Sequence, residues 1–452
     1  MRQNQSTGEA RPADASEGDV NLSPARAAWS AGRPDAARAL LAEDARVFLH
    51  QALSTPCLDV LEGAEGIWLI DSTGRRIMDF HGNSVHQVGY AHPAVLAAVT
   101  AQLTSLPFSP RRFTNRPAIA LAARLSAMMP DATPDDPWRA LFAPSGTAAI
   151  GMAIKLARAA TGRHKMLSMW EAFHGASLDA ISVGGEAIFR RDAGPLLPGT
   201  EHVPPPALAA RFFGDDGAAH ERLADYIDYI LGTEGDIAAL IAEPVRWTTI
   251  EPPPPGFWVR VRASCARHGT LLIFDEIPSG LGRTGTFFAW EQAGAVPDIL
   301  VLGKGLGGAV MPIAALLARP GLNVAADRAL GHYTHEKSPL GAAAALATIE
   351  VIEGENLLAH ARELGAVVLA RLQAIAARDG GVRAVRGMGL SLALDLDDAA
   401  RAEAVMYACL GAGLSFKIGA GTVCVLCPPL TITQDQIMAA LDILEAALAI
   451  AG

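Results

Sequence analysis

The stretch LLIFDEIPSGLGRTG, Leu271–Gly285, followed by ILVLGKGLGG, Ile299–Gly308, decides how this chain is read. Each opens on a short apolar run, and the runs lead to Asp275 and Lys304, 29 residues apart (304 − 275). The carboxyl ends of buried parallel strands are where α/β proteins place ligands. A lysine amine can hold an aldehyde cofactor as an imine, and an acid beside a pyridine nitrogen lets the ring accept electrons. Lys304 and Asp275 offer that pair and suggest a pyridoxal phosphate site. Spacing alone equally allows two ordinary strand ends, one with a solvated lysine and one with an acidic turn.

Working outward, helices and short apolar strands alternate. Helical patterns cover 119–129, 148–160 and 258–268, and strand patterns cover 140–142, 165–169, 237–242, 271–274 and 299–302. That alternation predicts an α/β fold, a mostly parallel sheet sandwiched by helices. Before it, 37–53 has helical periodicity and GIWLIDSTGRRIMDF reads as a hairpin turning at Asp71–Gly74. The proline-rich stretches 204–217 and 251–256 read as loops. After Pro339 come an alanine-rich helix through Ile352, a second helix over 357–377, the apolar segments VRGMGLSLALDL and GTVCVLCPPL, and a last helix over 434–449. The expected organisation is a flexible tail over 1–20, an N-terminal segment of a small domain over 21–80, a large cofactor-binding domain over 81–338, and a C-terminal small α+β domain over 339–452.

Composition narrows the function. A chain of 452 residues, half of them apolar, buries a large core, and no apolar run approaches the roughly 20 residues of a membrane helix. Its polar start has no signal-peptide run, so a cytoplasmic enzyme is expected. With 37 basic against 47 acidic residues, a net −10 and no Lys/Arg block, a nucleic-acid partner is disfavoured, whereas a small anionic substrate can still be met by local arginines. Five cysteines do not describe a disulfide framework. The CxxC of Cys424 and Cys427 has no second ligand pair nearby and reads better as buried thiols than as a metal or redox site, so no metal is expected.

Two further segments fit a phosphorylated aromatic cofactor. In APSGTAAIGMAIKLARAA, Ser145, Gly146 and Thr147 precede a helix whose free N–H groups and dipole suit a phosphate, although an ordinary N-cap reads the same way. In WEAFHGASLDA, Phe173 precedes His174 and Gly175; its ring can stack on a pyridine or sit in the core.

Taken in order, these segments resemble the class III aminotransferases, pyridoxal phosphate enzymes of fold type I, over roughly residues 69–444. The family's acidic strand end and GxGRTG are matched by Asp275, Glu276, Gly280, Gly282, Arg283, Thr284 and Gly285, and its Schiff-base lysine by Lys304. Its phosphate turn matches Ser145–Thr147, its aromatic-His-Gly matches Phe173–Gly175, its EP pair matches Glu243 and Pro244, and its VRGxGL matches Val385–Leu390. The resemblance implies pyridoxal 5'-phosphate held by these residues and Ile277, with Lys304 and Asp275 catalytic. It also implies a homodimer in which Thr334, in GHYTHEKSPLG, reaches the phosphate of the neighbouring subunit.

The departures bear on substrate. Pro278 stands where the family usually has glutamine, Ala148 where an acid follows the phosphate turn, Glu336, Lys337 and Ser338 before Pro339 in place of GGNP, and Val425 in place of an arginine before PPL. In many relatives that arginine clamps a substrate carboxylate, a bidentate role that valine cannot take. Polar and cationic substrate candidates instead are His81, Asn83 and His86, with Gln87 beside them, then Arg111 and Arg112, with Arg116 close by, and Arg246. The arginines at 111, 112 and 116 can as well be ordinary surface residues. HGNSVHQVGY with DEIP and HYTHEK is similar to a branch of the family that acts as an ammonia-lyase. The implied reaction takes (R)-1-hydroxy-2-aminoethylphosphonate to phosphonoacetaldehyde and ammonia, with His81 or His86 as an acid for the departing hydroxyl. The alternative is an ω-transaminase that places the carboxylate of a 2-oxo acid by another arginine, such as Arg246. A cofactor-binding regulatory module is a third reading, disfavoured because Lys304 and Asp275 are the groups that chemistry needs.

Overall fold

In the computed structural model, which describes residues 21–451, a seven-stranded sheet forms the centre. Its strands run, edge to edge, 139–143, 314–318, 299–302, 271–275, 237–242, 165–169 and 200–203. All neighbours pair in parallel except 314–318, which is antiparallel to both of its neighbours. The interior strand Ile237–Ala242, IAALIA, is buried at every residue, as expected for a strand covered on both faces.

Helices cover those faces. Gly146–Thr161 starts at Ser145, whose side chain accepts the Ala148 N–H, and stops at Gly162 in the left-handed conformation. Phe257–His268 lies on another part of the sheet, with Trp258 edge-on to Phe274 at 5.0 Å. The expected strands at 165–169, 237–242 and 299–302 occupy those bounds, and the expected helices agree to within a few residues, except that the first stops at Val47, short of 53.

Several elements had no counterpart in the sequence reading, among them the strands Thr200–Val203 and Ala314–Ala318 and the helices Pro93–Ser105, Ala219–Glu234 and Ala399–Ala412. The stretch 204–217, expected as loop, contains the short helix Ala209–Phe213, so that expectation is corrected. Its prolines end at Pro206, just ahead of the helix, and leave the AARFF segment free to coil.

The two ends of the chain meet in a second layer. The hairpin Trp68–Asp71 and Arg76–Asp79 shares a sheet with Leu61–Glu65 and with the C-terminal strand Leu414–Ser415, where Leu414 pairs Met78 in parallel. A separate antiparallel sheet of Val382–Met388, Ser391–Leu396, Val423–Leu426 and Lys417–Gly419 packs beside the helices Leu357–Ala376 and Ala399–Ala412. The fold is thus α/β, with a large sheet sandwiched by helices and a smaller α+β layer drawn from both termini. The tail expected over 1–20 lies outside the described residues. Among the described residues no helix is long and apolar enough to cross a membrane.

Candidate active site

Four neighbouring strands of the large sheet bring the site together at their carboxyl ends. Asp275 is the last residue of its strand, Lys304 follows Leu302 by two residues, Glu243 follows Ala242, and Phe173 lies four residues beyond Met169. Their side chains and those of Gly146, Thr147, His174, Gly175, Trp247, Thr248, Ile277 and Pro278 line one cavity of about 190 Å³. A larger hollow of about 1000 Å³ lies elsewhere, between the helix Arg116–Ala127, the strand Arg139–Ala143 and the loop 322–337. It contains neither Lys304 nor Asp275, so the chemistry belongs to the smaller cavity.

Asp275 is buried, and both of its oxygens are occupied. Oδ2 lies 2.8 Å from His174 Nδ1, and Oδ1 accepts the Ile277 N–H at 3.1 Å. These bonds fix the carboxyl group facing the cavity. His174 Nε2 is buried and has no hydrogen-bond partner among the described residues, a polar atom left over at the wall of a cavity. Opposite, the helix Gly146–Thr161 begins at the cavity, and the N–H groups of its first turn have no intrahelical acceptors, which suits an anion. Thr147 Oγ1 is held 2.6 Å from Ser177 Oγ, and Ser177 in turn bonds Asp179, so the turn is braced from behind. Phe173 borders the cavity and packs on Phe189 with ring centroids 4.5 Å apart. Lys304 has φ +44°, a left-handed conformation costly for a residue with a Cβ and found where structure over-determines it. An acid partner, an amine, an anion cup and a flat ring around one cavity are the set that pyridoxal phosphate needs, and the residues fit it.

Glu243 joins the surrounding loops: Oε2 accepts the Trp247 N–H at 2.9 Å, and Oε1 accepts the Phe173 N–H at 3.5 Å. Glu276, next to Asp275, points away. Buried and accepting the Ala289 and Trp290 N–H groups at 2.7 Å each, it is pushed by burial up to about 8.

The expected cofactor residues Gly146, Thr147, Phe173, His174, Glu243, Asp275, Ile277 and Lys304 are brought together, while Ser145 sits just behind as the helix cap. Thr334 is on an exposed loop outside the cavity. The substrate candidates fare differently. Arg111 and Arg112 are exposed, as is Asn83, and none of them lines the cavity. Arg246 lies 2.7 Å from Glu171 and 3.5 Å from Glu251 and also stays outside it.

His86 requires a correction. It is fully buried, its Nδ1 faces the Arg283 guanidinium at 3.2 Å, and its Nε2 donates to the Asp79 carbonyl at 3.0 Å. Burial, reinforced by the Arg283 charge, pushes it down to about 3, so it is neutral near pH 7 and has no proton to give. His81 alone of the two keeps solvent contact.

Sequence reasoning missed Trp247 and Thr248 on the cavity wall and Ser177 behind the phosphate turn. A signal existed for Trp247, a large aromatic four residues past Glu243 at a strand end, but spacing does not say which way a loop side chain turns. Cys424 and Cys427 are buried, and burial pushes both thiols up, as expected of inert core cysteines.

Comparison with known proteins agrees with this geometry. The family model described as Aminotransferase class-III matches residues 51–448. The chain is 47% identical to an (R)-1-hydroxy-2-aminoethylphosphonate ammonia-lyase from Vibrio splendidus, covering 96% of this chain and 95% of that one. It is 35% identical to an acetylornithine aminotransferase from Methanopyrus kandleri, over 85% of this chain and 95% of the relative. Among solved structures, a pyridoxal phosphate-bound amine transaminase from an uncultivated Pseudomonas species superposes with a TM-score of 0.82 at 31% identity, covering 90% of this chain and 99% of that one. Fold, cavity and relatives agree: this chain belongs to the class-III aminotransferase family, pyridoxal 5'-phosphate enzymes of fold type I.

Proposed function

We propose that this enzyme is an ammonia-lyase that converts (R)-1-hydroxy-2-aminoethylphosphonate to phosphonoacetaldehyde and ammonia, in the catabolism of aminophosphonates. The observation that carries the reading is the near full-length likeness to the Vibrio enzyme of that name, at an identity well above that to the aminotransferases named. Val425 supports it. Where a carboxylate-binding arginine is usual in the family, this side chain is buried in an apolar cluster with Trp247, Ile250 and Ala393, and valine at that position has no guanidinium with which to clamp a 2-oxo acid.

Pyridoxal phosphate, when bound, supplies an electron sink for the carbon next to nitrogen. The remaining work falls to the chain. Gly146 and Thr147 at the helix start hold the phosphate, Phe173 covers the ring, and Asp275, braced by His174, pairs with the ring nitrogen. The Lys304 amine takes the proton from the carbon bearing nitrogen. The hydroxyl then leaves the neighbouring carbon as water, aided by an acid for which His81 is our candidate. Hydrolysis of the resulting enamine, through its imine, yields the aldehyde and ammonia and returns that water, so substrate atoms equal product atoms. We place Arg246 near the substrate anion, with Arg111, Arg112 and Asn83 as further candidates, and assign the active form as a cytoplasmic homodimer in which Thr334 reaches the partner's phosphate cup.

The role of the hydroxyl is tested by comparing the hydroxylated amine with 2-aminoethylphosphonate, both without a 2-oxo acid. Ammonia is expected from the first and not from the second. Equal release from both, or none from the first, refutes the elimination.

A further inference from the structure

We propose that Trp247 is a specificity-determining residue that sets the length of amine the cavity accepts, and that Ser84 is the positioning residue that holds it. The identity of the natural amine rests on the function proposed above; the size rule does not.

Three separated parts of the chain converge on this indole. Its own loop follows the strand Ile237–Ala242, and its backbone N–H is pinned by Glu243 at 2.9 Å. The side chain packs with Val425 and Cys427, which come from the C-terminal sheet and its exit, and with Ile250 of its own loop. The indole N–H donates to Ser84 Oγ at 2.9 Å, in the N-terminal segment. Trp247 and Ser84 are each 4% exposed, so water does not compete for that bond. Trp247 also lines the cavity that contains Lys304.

Ser84 stands on a strained turn. Gly82, Asn83 and Ser84 have φ of +46°, +45° and +59°, three consecutive left-handed residues of which two carry a Cβ. Such a turn survives only where its surroundings hold it. Here the Gln87 amide donates to the Ser84 and Val85 carbonyls at 3.2 Å each, and its carboxamide lies so close to Gly305 that any side chain there would overlap it. Gly305 is the residue after Lys304. Indole, turn and the lysine backbone therefore pack as one unit, and the indole cannot swing aside for a longer substrate without giving up a buried hydrogen bond and unseating the turn. A wall of this kind discriminates by size, for which one methylene is worth roughly 10–200-fold.

The test uses holoenzyme without a 2-oxo acid and follows the absorbance of the bound cofactor on mixing with 2-aminoethylphosphonate or 4-aminobutylphosphonate. Trp247→Leu is expected to raise the four-carbon to two-carbon rate ratio at least tenfold. Ser84→Ala is expected to raise it at least threefold, and Ser84→Thr to restore it. Calorimetric binding of the unreactive ethylphosphonate and butylphosphonate should shift in the same sense. A ratio within twofold of the wild type in both Trp247→Leu and Ser84→Ala overturns the proposal. Should Trp247→Leu fail to take up cofactor, Trp247→Phe, which keeps an aromatic ring but loses the indole donor and part of its bulk, replaces it: a raised ratio in the Trp247→Phe and Ser84→Ala variants supports the proposal and an unchanged one overturns it. Absence of ammonia from the hydroxylated amine would remove the lyase reading and leave this ratio intact, because the signal is the cofactor and not the product.

Discussion

His86 shows how far a side chain's surroundings can reverse what its type suggests. A histidine beside a catalytic cavity is a natural proton donor, yet this one is enclosed by Arg283, Asp79 and Tyr90, whose hydroxyl bonds Asp79 at 2.6 Å. Beyond Arg283 lie the Cys427 thiol, kept neutral because burial pushes it up, and Lys417. With its folded value near 3 and its ordinary value at 6.5, the unfolded chain binds the extra proton between those limits. Stability contributed by neutral His86 is present above about pH 6.5 and is lost as pH falls toward 3, by at most about 1.4 kcal/mol per pH unit. Denaturant unfolding across this range should therefore show a shallower acid-side loss in His86→Asn than in the wild type. Parallel curves would mean that His86 does not titrate on unfolding. The imidazole is thus a structural acceptor for Arg283, which leaves His81 as the acid we propose in this segment.

At the scale of elements, two glycine-rich motifs far apart in the chain are one contact. Gly389, in the turn between the strands Val382–Met388 and Ser391–Leu396, has φ +56°, and a Cβ built there would lie 2.6 Å from the Arg283 carbonyl and the Gly285 N–H nitrogen. The Leu390 N–H donates to that Arg283 carbonyl at 3.1 Å. The VRGxGL turn thus sits directly on the GxGRTG loop that follows Asp275 and couples the smaller layer to the site. Gly389→Ala combines backbone strain with a backbone clash that no rotamer relieves. A loss of about 1–3 kcal/mol on that strain alone is expected, read as a lower midpoint in denaturant. An unchanged midpoint would show that the two loops are free to part.

The same elements explain which parts of the fold were legible in the sequence. Ile237–Ala242 and Ile299–Leu302 announce themselves as uninterrupted apolar runs because both faces are covered. Ala314–Ala318, AALLA, is equally buried, but its alanines and leucines favour helix as much as strand, and its antiparallel direction is set only by its neighbours. Lys304 and Asp275 were legible because their chemistry needs those residue types at strand ends. Trp247 and Ser84 were not, since their meeting spans 163 residues and rests on a loop and a strained turn.

For the whole molecule, the account holds that one cavity at the carboxyl edge of the large sheet, closed by a layer built from both termini, runs an elimination and not an amino transfer. The two reactions share Lys304, Asp275 and the phosphate cup and differ in what happens to nitrogen. An amino transfer leaves nitrogen on the cofactor and halts until a 2-oxo acid removes it; an elimination sets ammonia free and resets the site each time. The most direct measurement is the number of ammonia molecules released per active site from (R)-1-hydroxy-2-aminoethylphosphonate with no 2-oxo acid present, beside Lys304→Ala as the blank. The account predicts many turnovers per site in the wild type and none in the variant; one equivalent or less from the wild type would contradict it.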